Sequence, residues 1–259
     1  MKGFIKNVFA TVVGIFLSVG IMMAFFFFSL ISTLLTSTSE PQIKDNSILM
    51  LNLEGTIEEK AKEDIFAPFM GGEMSTLGLN EILSAIDKAK DNDKIKGMYI
   101  NCGMVSADHA TLQEIRSKLL EFKASKKWIV AYSDVYMQGA YYLASVSDKI
   151  YLNSDGSAPI VGIGSSMMFF KDLLDKLGIQ VQLIRHGKFK AAAEQFIASN
   201  ISKENYQQNK EMIDSIWESW AKEICSSRGI TVEEFNKLVD NLELFSGESM
   251  VEHGLVDEL

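Results

Sequence analysis

Trp128-Ile-Val-Ala-Tyr-Ser-Asp-Val-Tyr-Met-Gln-Gly-Ala-Tyr-Tyr-Leu-Ala-Ser-Val-Ser-Asp-Lys-Ile-Tyr-Leu152 reads as strand, helix, strand. Trp128–Tyr132 is a run of β-branched and aromatic residues. Tyr141, Tyr142, Leu143 and Val146 then mark a helix, and Lys149–Leu152 returns to a strand. The same alternation continues on the N-terminal side. Ser47–Glu54 is a strand closed by Gly55, and Gly97–Asn101 is a strand broken by Gly103. Leu79, Ile82, Leu83 and Ile86 recur at helical spacing, as do Leu112, Ile115, Leu119 and Phe122. On the C-terminal side a helix over 167–177 and a strand from Gln180 to Ile184 are expected. Strands alternating with helices predict an α/β domain whose largely parallel sheet is covered by helices. From about residue 202 the pattern is all-helical, with a long helix to about Ser227 and a short one from Thr231. Thr231 and Glu234 have the spacing of a capping box. Gly247 to Leu255 forms a last small element, and residues 61–78, with Pro68 and Gly71-Gly72, read as a long irregular connection.

The N-terminal side of the chain has a different character. Val8 to Leu35 is uncharged and apolar, and Phe25 to Phe28 are four phenylalanines in a row. A membrane span needs about 20 such residues. The run is too long for the apolar core of a cleaved signal peptide, and Ser32-Thr33-Leu34 is a poor cleavage site. A signal anchor is therefore expected over 8–35, after a short N-terminus of residues 1–7. A polar linker containing Pro41 follows over 36–46, and a domain over 47–259. Lys2 and Lys6 precede the span and no basic residue follows it directly, which favours an N-terminus-in orientation. The domain would then lie outside the cytoplasm.

Composition excludes several classes. The formal net charge is −9, and no basic tract suggests nucleic acid. Two cysteines, Cys102 and Cys225, rule out a disulfide-dense module, and Cys102 reads as a buried strand residue. His109, His186 and His253 are too far apart for metal-ligand spacing. Gly162-Ile-Gly164 lacks the third glycine and the acidic ribose ligand of a dinucleotide site. No metal or cofactor is expected.

The chemistry-bearing stretch is Arg185-His-Gly-Lys-Phe-Lys-Ala-Ala-Ala-Glu-Gln-Phe196. Three alanines after Lys190 would let a partner backbone approach closely, and Phe189 and Phe196 could exclude water. A desolvated lysine loses proton affinity, and a neutral lysine can act as a general base. Lys190 could equally be a solvated lysine in the first turn of a helix, or pair with Glu194 four residues on. Lys188 reads as solvated. His186 has no local nucleophile to activate, and His109 reads as a surface or cap residue. Tyr136, Tyr141 and Tyr142 fit either an apolar groove or the core.

Asp134-Val-Tyr-Met-Gln-Gly-Ala-Tyr-Tyr-Leu-Ala144, Asp148-Lys-Ile-Tyr-Leu152, Lys171-Asp-Leu-Leu-Asp-Lys-Leu-Gly178 and Gly187-Lys-Phe-Lys-Ala-Ala-Ala-Glu194 together resemble peptidase family S49, the protease IV or signal peptide peptidase A type. The resemblance runs over essentially the whole chain. It implies a ClpP/crotonase-like spiral of β-β-α units behind one transmembrane helix, in a bacterial inner membrane with the domain on the extracytoplasmic side. It also implies a Ser–Lys peptidase in which the long members take the lysine from the N-terminal domain and the serine from the C-terminal one. Lys190 matches the general-base lysine, and backbone N–H groups would hold the oxyanion.

The nucleophile motif is different here. Serine-bearing domains carry Ser-Gly-Gly where this chain has Gln138-Gly139-Ala140, and an amide is no nucleophile. The Gly103 turn matches the oxyanion turn only in degenerate form. Ser133, Ser145, Ser165 and Ser166 lack the family context, and Ser165-Ser166 reads as a helix cap. The chain is thus expected to be the lysine-bearing half, a truncated product, a fragment or one part of a split enzyme, with the serine coming from a missing C-terminal S49 domain. Expected partners are peptides such as cleaved signal peptides, that domain, further copies in a homo-oligomer, and the bilayer. The alternatives are an inactive scaffold subunit and, on fold alone, an acyl-CoA enzyme.

Overall fold

The computed structural model describes residues 2–36, 43–61, 77–184, 186–187 and 189–259. The chain divides into two units, Met1–Lys44 and Asp45–Leu259. Residues 37–42 of the linker expected over 36–46, and 62–76 of the connection expected over 61–78, lie outside the described residues.

The first unit is built on one helix, α1 (Lys2–Thr36), which passes through Gly14 and Gly20 without a break. Its apolar stretch Gly3–Ser29 is 27 residues long. At the rise of an α-helix that is roughly 40 Å, longer than the ~30 Å hydrocarbon core of a bilayer. Phe25, Phe26 and Phe28 are all largely exposed. The helix is long and apolar enough to cross a membrane.

The second unit holds a five-stranded sheet. Strands β1 (Ser47–Glu58), β2 (Leu77–Gly78), β3 (Ile95–Ser106), β4 (Trp128–Val135) and β5 (Lys149–Ser157) are all parallel, in the order β2-β1-β3-β4-β5. Alternate residues point into one core: Leu51 and Leu53, Met98, Ile100 and Cys102, Ile129 and Ala131, Ile150 and Leu152. Helices α2 (Leu79–Asp91), α3 (His109–Ala124) and α4 (Gln138–Ala144) add their apolar stripes, including Ile82, Ile86, Leu112, Ile115, Leu119 and Phe122. Gly139 permits the close packing of α4 on α3, since a Cβ there would lie 3.1 Å from Leu112 Cδ1. The α/β class and the parallel sheet are as the sequence predicts.

Several local expectations are corrected. Gly55 and Gly103 do not end their strands. Gly55 adopts a φ of +82° at an irregularity in register opposite β3, and both strands run on beyond it. Residues 180–184 form no strand and are mostly exposed. The sheet edge they would need is occupied by the C-terminal residues: Leu152 N–H donates to Glu258 O (3.2 Å) and Asp257 N–H to Ile150 O (2.9 Å). The helix expected over 167–177 is only α5 (Lys171–Lys176), so Ser165 and Ser166 are exposed loop residues rather than caps. Tyr136, Tyr141 and Tyr142 are fully buried core residues, not a groove.

The helical region comprises α6 (Glu194–Ile197), α7 (Lys203–Arg228), α8 (Val232–Asp240) and α9 (Gly247–Glu252). The last three have serine or threonine N-caps. Ser202 Oγ accepts from Asn205 N–H, Thr231 Oγ1 from Glu234 N–H, and Ser246 Oγ from Ser249 N–H. Gly229 ends α7 in the left-handed region at φ 73°.

A buried arginine fastens α7 to the sheet domain. Arg116 on α3 is 2% exposed. Its guanidinium donates to Tyr142 O, to Ser145 Oγ (2.7 Å), to Glu223 O (2.8 Å) and to Ser227 Oγ (2.7 Å). Its Nε lies 3.3 Å from Glu223 Oε2, the oxygen that also accepts from the Tyr142 hydroxyl. Tyr142 stacks on Trp220 at 4.8 Å, and Trp220 Nε1–H donates to His109 Nδ1. His109 is thus a link between α3 and α7 rather than a cap.

Candidate active site

The matched motif residues are best judged by what each side chain touches. Asp148 accepts from Ile129 N–H (2.8 Å) and pairs with Lys123 (3.0 Å), closing the β4–β5 crossover. Asp134 accepts from Asn153 Nδ2–H (2.9 Å) and from the Tyr132 hydroxyl (2.8 Å). Asp257 accepts from Ile150 N–H (2.8 Å) and pairs with Arg228 (3.1 Å). Burial pulls the Asp257 carboxyl upward, but the Ile150 N–H, Arg228 and Lys149 outweigh it and hold it below the usual range. These carboxylates are bound into the frame.

The cysteines are inert for a similar reason. Cys102 is fully buried, and burial pushes its thiol up to about 12. Burial also pushes Cys225 up to about 11.

Gln138 opens α4. Its Oε1 accepts from both Val161 N–H (3.1 Å) and Gly162 N–H (3.1 Å), while its Nε2–H donates to Gly162 O (3.2 Å). The amide therefore works as a clamp on the strap that follows β5. Gln138→Ser is expected to lose these three bonds, costing about 1 kcal/mol each at most, without creating a peptidase. Urea unfolding and labelling with a fluorophosphonate would check both halves of that expectation.

Ser133 and Ser145 are engaged inside the domain. Ser133 is 2% exposed, and its hydroxyl donates to Val135 O (2.8 Å). Ser145 is fully buried against Arg116 and Tyr142 O. His186 is exposed. Gly103 lies inside β3, where its carbonyl accepts from Met137 N–H (3.2 Å).

Lys190 is exposed and lies in irregular chain ahead of α6, which starts only at Glu194. The expectation of a first-turn helix position is thereby corrected. Lys188 lies outside the described residues. Lys190 lines a cavity of about 660 Å³ with Met167, Phe189 and Met212 as apolar walls and Gln195, Gln208 and Asn209 as polar ones. A second cavity, of about 350 Å³, shares Met167 and Asn209 and is lined by Ile163, Ser165, Phe169 and Tyr206. Phe189 borders the lysine cavity as expected, whereas Phe196 stacks on Phe170 at 5.8 Å. Among the described residues, the lysine cavity's lining holds no serine, threonine or cysteine. No group of residues suited to a metal ion occurs among the described residues.

Sequence reasoning missed what lies behind the lysine. Glu194 is 3% exposed, and its carboxylate accepts from Ser202 N–H (2.9 Å) and Asn205 Nδ2–H (2.6 Å). Asn209 Nδ2–H in turn donates to Asn205 Oδ1 (2.6 Å). The available signal was the i, i+4 spacing of Asn205 and Asn209 on one long helix.

Sheet, strap and loop thus define a parallel α/β domain with a lysine at an open, largely apolar cavity. The profile of Peptidase family S49 matches residues 121–259, more than half of the sequence, and the chain belongs to that family. It is similar to Protease 4 of Haemophilus influenzae, 32% identical over 189 residues, which cover 70% of this chain and 31% of that protein. Protease 4 of Salmonella typhi is 28% identical over 227 residues, covering 82% of this chain and 37% of the relative. The chloroplastic Serine protease SPPA of Arabidopsis thaliana is 26% identical over 218 residues, covering 84% and 31%. The chain spans about a third of the length of these curated relatives, whose names describe the longer proteins.

Proposed function

We propose that this chain is the lysine-bearing part of a membrane-anchored serine peptidase. Lys190 acts as the general base, and a serine-bearing S49 domain from outside this sequence supplies the nucleophile. The observation that carries this reading is the lysine cavity, which has apolar walls and no hydroxyl or thiol among its described lining residues. A second domain docking there would bring its serine to Nζ and remove water from the amine. Desolvation favours the neutral form of a lysine, which can take the serine's proton during attack on a peptide carbonyl. The substrates are extended peptides, cleaved signal peptides among them, held beside the membrane by α1. The charge bias of Lys2 and Lys6 favours a domain on the extracytoplasmic side of a bacterial inner membrane. Copies associate so that the sites face a shared interior.

The test is peptide cleavage by the purified chain in detergent, with and without a serine-bearing S49 domain. Cleavage only in the mixture is the expected result. Cleavage by the chain alone would overturn the reading, because a nucleophile would then have to lie within it. The Gln138 clamp favours a second reading, an inactive scaffold subunit. That reading predicts no cleavage in either arm, even where the two domains co-purify.

A further inference from the structure

Glu194 is a buried carboxylate that the proposed reaction leaves unused. It sits at the start of α6 and reaches across to α7. Its two oxygens divide the work, Oε1 accepting from Ser202 N–H and Oε2 from Asn205 Nδ2–H. Ser202 is the N-cap of α7. A carboxylate there is favoured by the positive end of that 26-residue helix. Asn205 is buried too, and its Oδ1 is already taken by Asn209. Both asparagines line the lysine cavity, and Asn209 lines the neighbouring cavity as well. Around this core, Phe170 N–H donates to Gln195 O (2.7 Å) and Ser199 Oγ–H to Asp172 Oδ1 (2.6 Å). The chain from 194 to 202 is thus tied to α5 on one side and α7 on the other.

We propose that Glu194 is a positioning residue. With Asn205 and Asn209 it forms a directional hydrogen-bond relay that fixes the Lys190-bearing loop against α7 and holds the lysine at the cavity. Its effect on catalysis rests on the reading of Lys190 given above; the relay itself does not. The direction of the relay makes it sensitive to one atom. In Glu194→Gln one acceptor becomes an N–H donor. If that donor faces Ser202, it meets a backbone N–H that cannot turn. If it faces Asn205, that amide must flip and give up the oxygen used by Asn209. Asn205→Asp in the same chain repairs the pattern, since its carboxylate accepts both from the amide introduced at position 194 and from Asn209. Asn205→Asp alone sets two carboxylates face to face.

The experiment is a double-mutant cycle on the full chain in detergent, read by amide hydrogen exchange over residues 189–202. Each single variant is expected to raise exchange there about tenfold, and the double variant to return to within about threefold of wild type. Global unfolding in urea, measured in parallel, separates a local release from a failure to fold. In the assembled peptidase, Glu194→Gln should lower kcat about tenfold with KM little changed, and the double variant should recover it. Unaltered exchange in Glu194→Gln, or a double variant worse than both singles, overturns the relay. Exchange that follows the cycle while Lys190→Ala retains full activity leaves the relay standing and removes Lys190 from catalysis.

Discussion

Lys190→Ala is expected to lower turnover of the assembled peptidase by about 10²–10⁴-fold, the range for a positioned general base, with KM little changed. A group needed only in the transition state lowers kcat and kcat/KM together. The alanine variant also removes a charge and some packing, so Lys190→Arg makes the sharper test. The guanidinium keeps the charge and much of the bulk but cannot be deprotonated in a protein. It should therefore be as inactive as alanine. An arginine variant with substantial activity would show that Lys190 contributes charge rather than proton transfer. Lys190 is exposed and in irregular chain, and urea unfolding of both variants separates a loss of fold from a loss of chemistry.

The second large effect concerns stability. Arg116→Met should destabilise the Asp45–Leu259 unit by about 3–5 kcal/mol, the cost of breaking a buried ion pair from one side. At about 2–4 °C per kcal/mol for a domain of this size, Tm should fall by on the order of 10 °C. The loss arises because Glu223 and the Tyr142 hydroxyl remain in place around a missing cation, together with Ser145 and Ser227. Replacing Glu223 by Leu in the same chain should restore part of the loss, since an apolar pair has no charge to desolvate. Thermal unfolding of the wild type and of both variants checks this. A single variant within about 1 kcal/mol of wild type would show that α7 is held by its apolar contacts, Trp220, Ala221 and Ile224, rather than by the arginine.

The sheet was legible in the sequence because its strands are short apolar runs separated by strongly periodic helices. Met98, Ile100 and Cys102 alternate with less buried neighbours, and α2 and α3 carry regular stripes. The strand wrongly expected at 180–184 shows where this signal stops. Val181 and Leu183 have a strand's alternation, but the β5 edge was already occupied by Asp257 and Glu258, a competition no local pattern reveals. The long extension of β1 and β3 was missed because glycine usually interrupts a strand, whereas here Gly55 takes a positive φ and the pairing resumes.

For the site, the lysine-bearing stretch stood out through its unusual run of small residues, and Gln138 stood out as a departure from the family motif. What Gln138 does instead was not readable. Its partners, Val161 and Gly162, are more than twenty residues away and bond through backbone N–H groups, which leave no trace in side-chain spacing. The partners of Glu194 on α7 were hidden in a similar way. Its distance of four residues from Lys190 drew attention to a helical spacing, whereas the helix begins at Glu194 itself and the carboxylate accepts from Ser202 and Asn205, eight and eleven residues on.

The most direct test of a shared Ser–Lys site is the location of the acyl adduct. The chain and a serine-bearing S49 domain would be mixed, treated with a mechanism-based acylating inhibitor, and digested for mass spectrometry. The expected result is a modified serine in the added domain alone, lost when this chain carries Lys190→Arg. An adduct on any serine of this chain, or labelling that persists in the arginine variant, would contradict it.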